Sequence, residues 1–141
     1  MCVYLHISIG VNLPIPLNGT GPRIQYVRTG RYPTEKFTFT DIMSIANASQ
    51  EICMREDDYM VICGCIQILD MTDFSTAHVL QMTPMVIKKM TTFAEDAVPI
   101  RLKAIHIINT PKGFDKVFNV LKPLMPVKQQ ERVGSSYNTS P

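Results

Sequence analysis

The order of apolar and polar positions divides the chain into alternating extended and helical stretches. Val3, Leu5, Ile7, Ile9 and Val11 alternate with Tyr4, His6, Ser8, Gly10 and Asn12. A period of two fits a strand or an extended arm. Residues 13–22 form a linker or turn by their proline and glycine content. Residues 23–28 (RIQYVR) read as a short strand, and residues 30–36 as a second loop. Thr38 and Asp41 have the spacing of a capping box, in which hydroxyl and carboxylate satisfy each other's backbone N–H. Phe39, Ile42, Met43, Ala46 and Cys53 then mark one face of a helix running to about Met54. Residues 55–58 read as a solvated charged loop. Residues 60–69 (MVICGCIQIL) are almost unbroken apolar sequence, and their β-branched content predicts a central strand.

The second half repeats the alternation. Thr83 followed by Pro84 places a capping hydroxyl before a proline at the first helical position, where its missing N–H costs nothing. Met82 and Ile87 have the spacing of a hydrophobic staple, and Val86, Met90, Phe93 and Ala97 continue the helix face. Residues 101–108 form an Ile-rich strand of the kind buried on both faces. Thr110 and Pro111 repeat the cap-and-proline device. After them Phe114, Val117, Phe118, Leu121, Leu124 and Met125 share one helix face. Residues 128–133 predict one more short helix, and residues 134–141 (GSSYNTSP) a disordered tail. The order is β–α–β–α–β–α, with helical connections long enough for crossovers. The predicted fold is α/β, a mostly parallel, mixed sheet flanked by helices.

Composition narrows the function without naming it. The 141 residues suffice for one domain with a core, and 45% hydrophobic against 18% charged content is globular. A net charge of +2 gives no whole-protein field for nucleic acid, so any basic site is local. Cys63 and Cys65 stand about 6.6 Å apart on a regular strand, at the limit of disulfide geometry. With Cys2 and Cys53 they read as reduced thiols of a cytosolic protein. The N-terminus lacks a basic start and His6 interrupts its apolar run, so it does not read as a signal peptide. No run has the length of a membrane span.

Candidate chemistry is sparse. An α/β sheet usually binds nucleotides at its strand C-termini, but residues 18–22 (NGTGP) match neither glycine-rich phosphate loop and precede a strand. Asp70 and Asn109 end two strands, where catalytic residues and ordinary turn residues both occur. His78 and His106 are either bases or satisfied core residues. Cys63-Gly64-Cys65 has no second pair with which to hold zinc, and no nucleophile–base spacing is diagnostic. Three matches to the N-glycosylation pattern, at Asn18, Asn47 and Asn138, carry little without a secretory signal. Nine methionines fit either a Met-rich core or a cavity adapted to greasy ligands.

The cations are the sharper signal. Arg101 and Lys103 are two apart and so emerge on one strand face. Lys128 and Arg132 are four apart on one helix face. Packed together, the four make a cationic patch suited to a phosphate or lipid headgroup; packed apart, they are solvated charges.

Several segments in order resemble the CRAL-TRIO (Sec14-like) lipid-binding domain, in the flavour of insect relatives of alpha-tocopherol transfer protein and cellular retinaldehyde-binding protein. They are Ile68-Leu-Asp70-Met71; His78, Gln81 and Thr83-Pro84; Pro99-Ile-Arg101-Leu-Lys103-Ala-Ile-His106-Ile-Ile-Asn109-Thr-Pro111; Gly113-Phe114; Lys122-Pro123; and Lys128 with Arg132. The resemblance covers about residues 16–133. It implies residues 1–15 as a divergent arm, 16–133 as a partial domain incomplete at its C-terminus, and 134–141 as a tail. It implies a cytoplasmic carrier that associates peripherally with membranes and not an enzyme, with no cofactor, metal or nucleic-acid partner. Such a carrier holds one hydrophobic molecule, of the tocopherol, retinoid or phospholipid class, between the sheet and a mobile lid helix. In the tocopherol carrier a basic cluster binds phosphoinositide headgroups, and Arg101, Lys103, Lys128 and Arg132 match it in charge. Pocket lining carries over to Leu69, Phe74, Leu80, Met82, Met90, Phe93, Val98 and Ile105, all bulky and apolar. The competing expectations are a nucleotide-binding α/β enzyme and a fragment that carries nothing or only binds partners.

Overall fold

The structure is a computed structural model and describes residues 10–13, 20–96, 100–125 and 127–134. In chain order the elements are β1 (Gly10–Asn12), β2 (Arg23–Arg28), α1 (Phe39–Glu56), α2 (Asp58–Cys63), β3 (Cys65–Asp70), α3 (Thr76–Gln81) and α4 (Pro84–Asp96). Then come β4 (Leu102–Ile108), α5 (Phe114–Leu121), a 3-10 turn (Lys122–Leu124), α6 (Val127–Arg132) and β5 (Val133–Gly134). The described strands form one five-stranded sheet in the order β1-β2-β3-β4-β5. β1 runs antiparallel to β2, and β2 to β5 are parallel. The predicted mixed, mostly parallel sheet is the one observed.

Right-handed crossovers between strands taken in sequence order place every connecting helix on the same face of the sheet. The three apolar clusters agree. Each is built from the side chains that Val27, Cys65, Leu69, Ile105 and Ile107 present to the helices. One gathers Phe74, Phe114 and Phe118 on Ile105 and Ile107; a second gathers Tyr32, Phe39 and Ile42 on Val27; the third joins Met60, Cys65 and Ile100. Ile66, Ile68, Ala104, His106 and Ile108 point the other way, and none belongs to a described cluster. β4 is therefore buried on its helix face and half-buried on the other, where the sequence predicts burial on both.

Local chemistry explains the remaining boundaries. The capping box at Thr38 and Asp41 is present: Asp41 N–H donates to Thr38 Oγ1 at 3.2 Å, and Thr38 N–H donates to Asp41 Oδ2 at 2.9 Å. Thr83 Oγ1 accepts from the Val86 N–H ahead of α4, as the cap-and-proline device requires. Residues 60–69 are not one strand. Asp57 caps α2, accepting from the Met60 N–H at 3.1 Å, so residues 60–63 are helical. Gly64 then turns the chain at φ +81 into β3. The charged run at 55–58 is likewise a helix-to-helix junction, with Asp57 bound to Arg23 at 2.7 Å. The start of α5 also differs. Thr110 and Pro111 do not cap it; the Phe114 N–H donates to the Pro111 carbonyl in a turn, and Gly113 caps the helix at φ +85. Asn109 adopts φ +54, so left-handed residues at both ends of the connection redirect the chain before a proline-started helix can form. Of the predicted N-terminal strand, residues 10–12 pair with β2; residues 1–9 and the predicted tail from 135 lie outside the described residues.

Candidate functional site: cations around β4 beside an apolar interior

The start of β4 is irregular. Cys65 pairs with Leu102 but Ile66 pairs with Ala104, so Lys103 is the extra residue of a bulge. Arg101 precedes the strand, and its carbonyl accepts from the Cys65 N–H at 3.0 Å. Both side chains border Gly64: a Cβ there would meet Arg101 Cβ and Lys103 Cε, each at 3.2 Å. Arg101 and Lys103 therefore converge, through a bulge over a glycine rather than by simple two-residue alternation.

Lys128 and Arg132 lie on α6, both exposed. Arg132 leads directly into Val133, which pairs with Ile105 on β4. That pairing brings the end of α6 beside β4, an inner strand whose Lys103 borders Gly64 on the β3 side. Among the described residues, none of the four cations takes part in an ion pair. Val120 and Val127, 71% and 69% exposed, accompany Lys116, Lys122 and Lys128 on the same segment.

Beside β4 lies the apolar interior. Leu69, Phe74 and Ile105 pack in the first cluster and Met90 in the second, while Met82 packs against both and joins them. Two of the other predicted lining residues are not brought in. Leu80 is 80% exposed and Phe93 42% exposed, and Val98 lies outside the described residues. The six-residue α3 spends its inward side on the buried His78, which leaves Leu80 facing solvent. The first cluster is packed with aromatic side chains. Phe114 and Phe118 of α5 cover it, with Phe74 and Phe114 ring centres 6.3 Å apart and Phe114 and Phe118 6.0 Å apart. The described recess between β1, β2 and α1 has about 30 Å³ of interior space, room for a water.

At the opposite end of the strands, Asp70 is buried and fully occupied. Its Oδ1 accepts from the Thr72 N–H at 2.9 Å, Thr72 Oγ1 at 2.6 Å and Asn109 Nδ2 at 3.0 Å. Its Oδ2 accepts from the Tyr26 hydroxyl and lies 3.7 Å from Arg28 Nε. Burial pushes the carboxyl pKa up, but the hydrogen bonds from Thr72, Tyr26 and Asn109 outweigh it and hold the value well below the ordinary range. The arrangement fixes a turn and leaves no lone pair directed at a substrate. His78 is equally engaged. Nδ1 accepts from the Ser75 N–H at 3.1 Å, so Nε2 carries the proton and donates to the Tyr32 carbonyl at 3.1 Å. Sequence reasoning missed one feature, a row of amides at Asn12, Gln25 and Gln67; their polarity within otherwise apolar strands was the available signal.

A mixed, mostly parallel sheet with its connecting helices packed against one face defines an α/β domain. The comparisons supply the family. The CRAL/TRIO domain model matches residues 18–138, and the chain belongs to that family, whose members bind and transfer small lipophilic ligands. It is 26% identical over 122 residues to Clavesin-1 of Rattus norvegicus, covering 84% of this chain and 34% of that protein. It is 25% identical over 122 residues to an alpha-tocopherol transfer protein-like protein of Mus musculus, covering 84% and 35%. The chain thus spans about a third of the length of these relatives. The crystal structure of Sfh5 superposes with a TM-score of 0.66 at 14% identity, covering 94% of this chain and 48% of Sfh5. Among the described residues no helix is long and apolar enough to cross a membrane.

Proposed function

We propose that the chain binds a small hydrophobic molecule of the tocopherol, retinoid or phospholipid class and carries it through the cytoplasm. On this reading it docks peripherally on phosphoinositide-bearing membranes through Arg101, Lys103, Lys128 and Arg132. The observation that carries the reading is that one segment does two things. The chain from Phe114 to Arg132 covers the apolar interior with Phe114 and Phe118, and it also bears Lys128 and Arg132. Anionic headgroups that draw the cations to the membrane thereby pull on the cover of the interior. Asn109 and Gly113, both left-handed, are the hinge about which that cover swings. Exposed Val120 and Val127 enter the lipid interface beside the lysines. The name of the tocopherol-related mouse protein supports that ligand class.

Each cation near an anionic surface contributes about 1 kcal/mol, so four give about 4 kcal/mol, roughly a thousandfold in affinity. Co-sedimentation with phosphatidylcholine vesicles, with and without phosphatidylinositol bisphosphate, is the test. Arg101→Glu together with Lys128→Glu is expected to lower phosphoinositide-dependent binding at least tenfold. Unchanged binding overturns the docking assignment. Mass spectrometry of lipid extracted from the purified protein is expected to find one apolar molecule; its absence counts against the carrier.

A further inference from the structure

Apart from Arg23 at the start of β2, the described helix-covered face of the sheet is apolar except along one row. Asn12 pairs with Gln25, Gln25 with Gln67, and Gln67 with Ile105, so three amides stand side by side across the sheet. Asn12 Nδ2 donates to Cys53 Sγ of α1 at 2.9 Å, which fixes the row beneath that helix. Gln67 Nε2 donates to Gln25 Oε1 at 2.7 Å. That bond leaves the Gln25 amide N–H groups and the Gln67 carbonyl oxygen without a described partner. Asn12 Oδ1 is buried and accepts no hydrogen bond among the described residues. Asn12 and Gln25 open into the recess whose other walls are Val27, Ile42, Ile45 and Ala46.

We infer that Asn12, Gln25 and Gln67 form the polar end of the cargo site and select an amphiphile whose polar end is an uncharged hydroxyl. The inference rests on the carrier reading and names its ligand class. A binding site that is apolar with a few placed polar groups uses those groups to orient the ligand. The row offers an acceptor and donors together, which is what a hydroxyl needs. It offers no counter-charge. Arg23, the charged side chain that the register places on this face of β2, sits at the start of the strand bound to Asp57 at 2.7 Å. A carboxylate or phosphate would be buried there uncompensated.

The test is retention of radiolabelled hexadecan-1-ol, hexadecane and palmitate by the chain after gel filtration. Sites built to hydrogen-bond a hydroxyl strongly reject the analogue lacking it. The wild-type chain is expected to retain the alcohol at least tenfold better than the alkane or the acid. Gln25→Leu with Gln67→Leu is expected to erase the preference while the alkane is held as before. Gln25→Glu, with a charge in place of an amide, is expected to shift the preference to hexadecylamine, a gain that misfolding cannot imitate. Equal retention of alcohol and alkane by the wild type overturns the polar end and leaves the carrier standing. Retention of none of them overturns both, and an undiminished preference in the double variant overturns the residues assigned.

Discussion

Asp70 shows how much one side chain fixes. Its carboxylate ties Tyr26 of β2 and Asn109 after β4 to the end of β3. Hydrogen bonds to a charged group are worth about 1.5–3 kcal/mol each, and their loss leaves donors unpaired. Asp70→Ala is expected to lower unfolding free energy by about 2–4 kcal/mol in urea titrations. The folded-state pKa is depressed, so this stabilisation is complete above the unfolded value of about 3.9 and fades as pH falls toward the folded one. Stability of the wild type is therefore expected to drop below about pH 4 more steeply than that of Asp70→Ala. Cys65 gives a second test at this scale. Burial pushes its thiol up to about 11, while Cys63 is half-buried. At pH 8 iodoacetamide is expected to label Cys65 only on unfolding, because the thiolate is the nucleophile. Rapid labelling of the folded protein would contradict the packing around Met60 and Ile100.

At the scale of elements, Gly64 joins α2 to β3 and borders Arg101 and Lys103. It sits at φ +81, and a Cβ would stand 2.3 Å from the Arg101 carbonyl oxygen. Gly64→Ala is expected to cost at least about 2 kcal/mol in thermal denaturation, and to weaken vesicle binding by displacing Arg101 and Lys103. An Ala variant with wild-type stability would show that the chain passes this point differently. Gly64 also shows what is legible in a sequence. The apolar run at 60–69 has no periodic break, because a buried strand and a buried helix share composition. Only the cap at Asp57 and the glycine separate α2 from β3, and both are single-residue signals. The capping box at Thr38 was legible because two side chains at fixed spacing report it. The start of α5 was not, since Thr110 and Pro111 imitate a cap that the backbone at Asn109 and Gly113 overrides. The pocket residues divide similarly. Leu69 and Ile105 reach the interior by strand alternation and Met90 by helix face, Phe74 and Met82 reach it from the connections on either side of α3, and the exposure of Leu80 depends on which side a very short helix turns inward.

Across the whole molecule, the proposed docking patch is a local feature of a chain whose net charge is only +2. Composition cannot reveal such a patch, because β4 and α6 contribute to it from separate parts of the chain. Vesicle binding through exposed cations is expected to weaken several-fold as ionic strength rises from about 0.1 M to about 1 M, since the screening length contracts from about 10 Å to about 3 Å. Salt-insensitive binding would shift the weight to Val120 and Val127. On the carrier proposal, cargo is held by apolar contact, and the same salt is expected to leave it in place.

The sequential strand order has a consequence for biogenesis. Among the described strands, each parallel strand is laid beside the one synthesised just before it, and none has to insert between two earlier ones. A chain leaving the ribosome can therefore extend its sheet in one direction, from β2 toward β5, with each helix docking as its strand is added. The two-residue β5 comes after the other described strands along the chain. Pulse-labelled hydrogen exchange during refolding is expected to protect β3 before β5, the reverse order being incompatible with growth from β2.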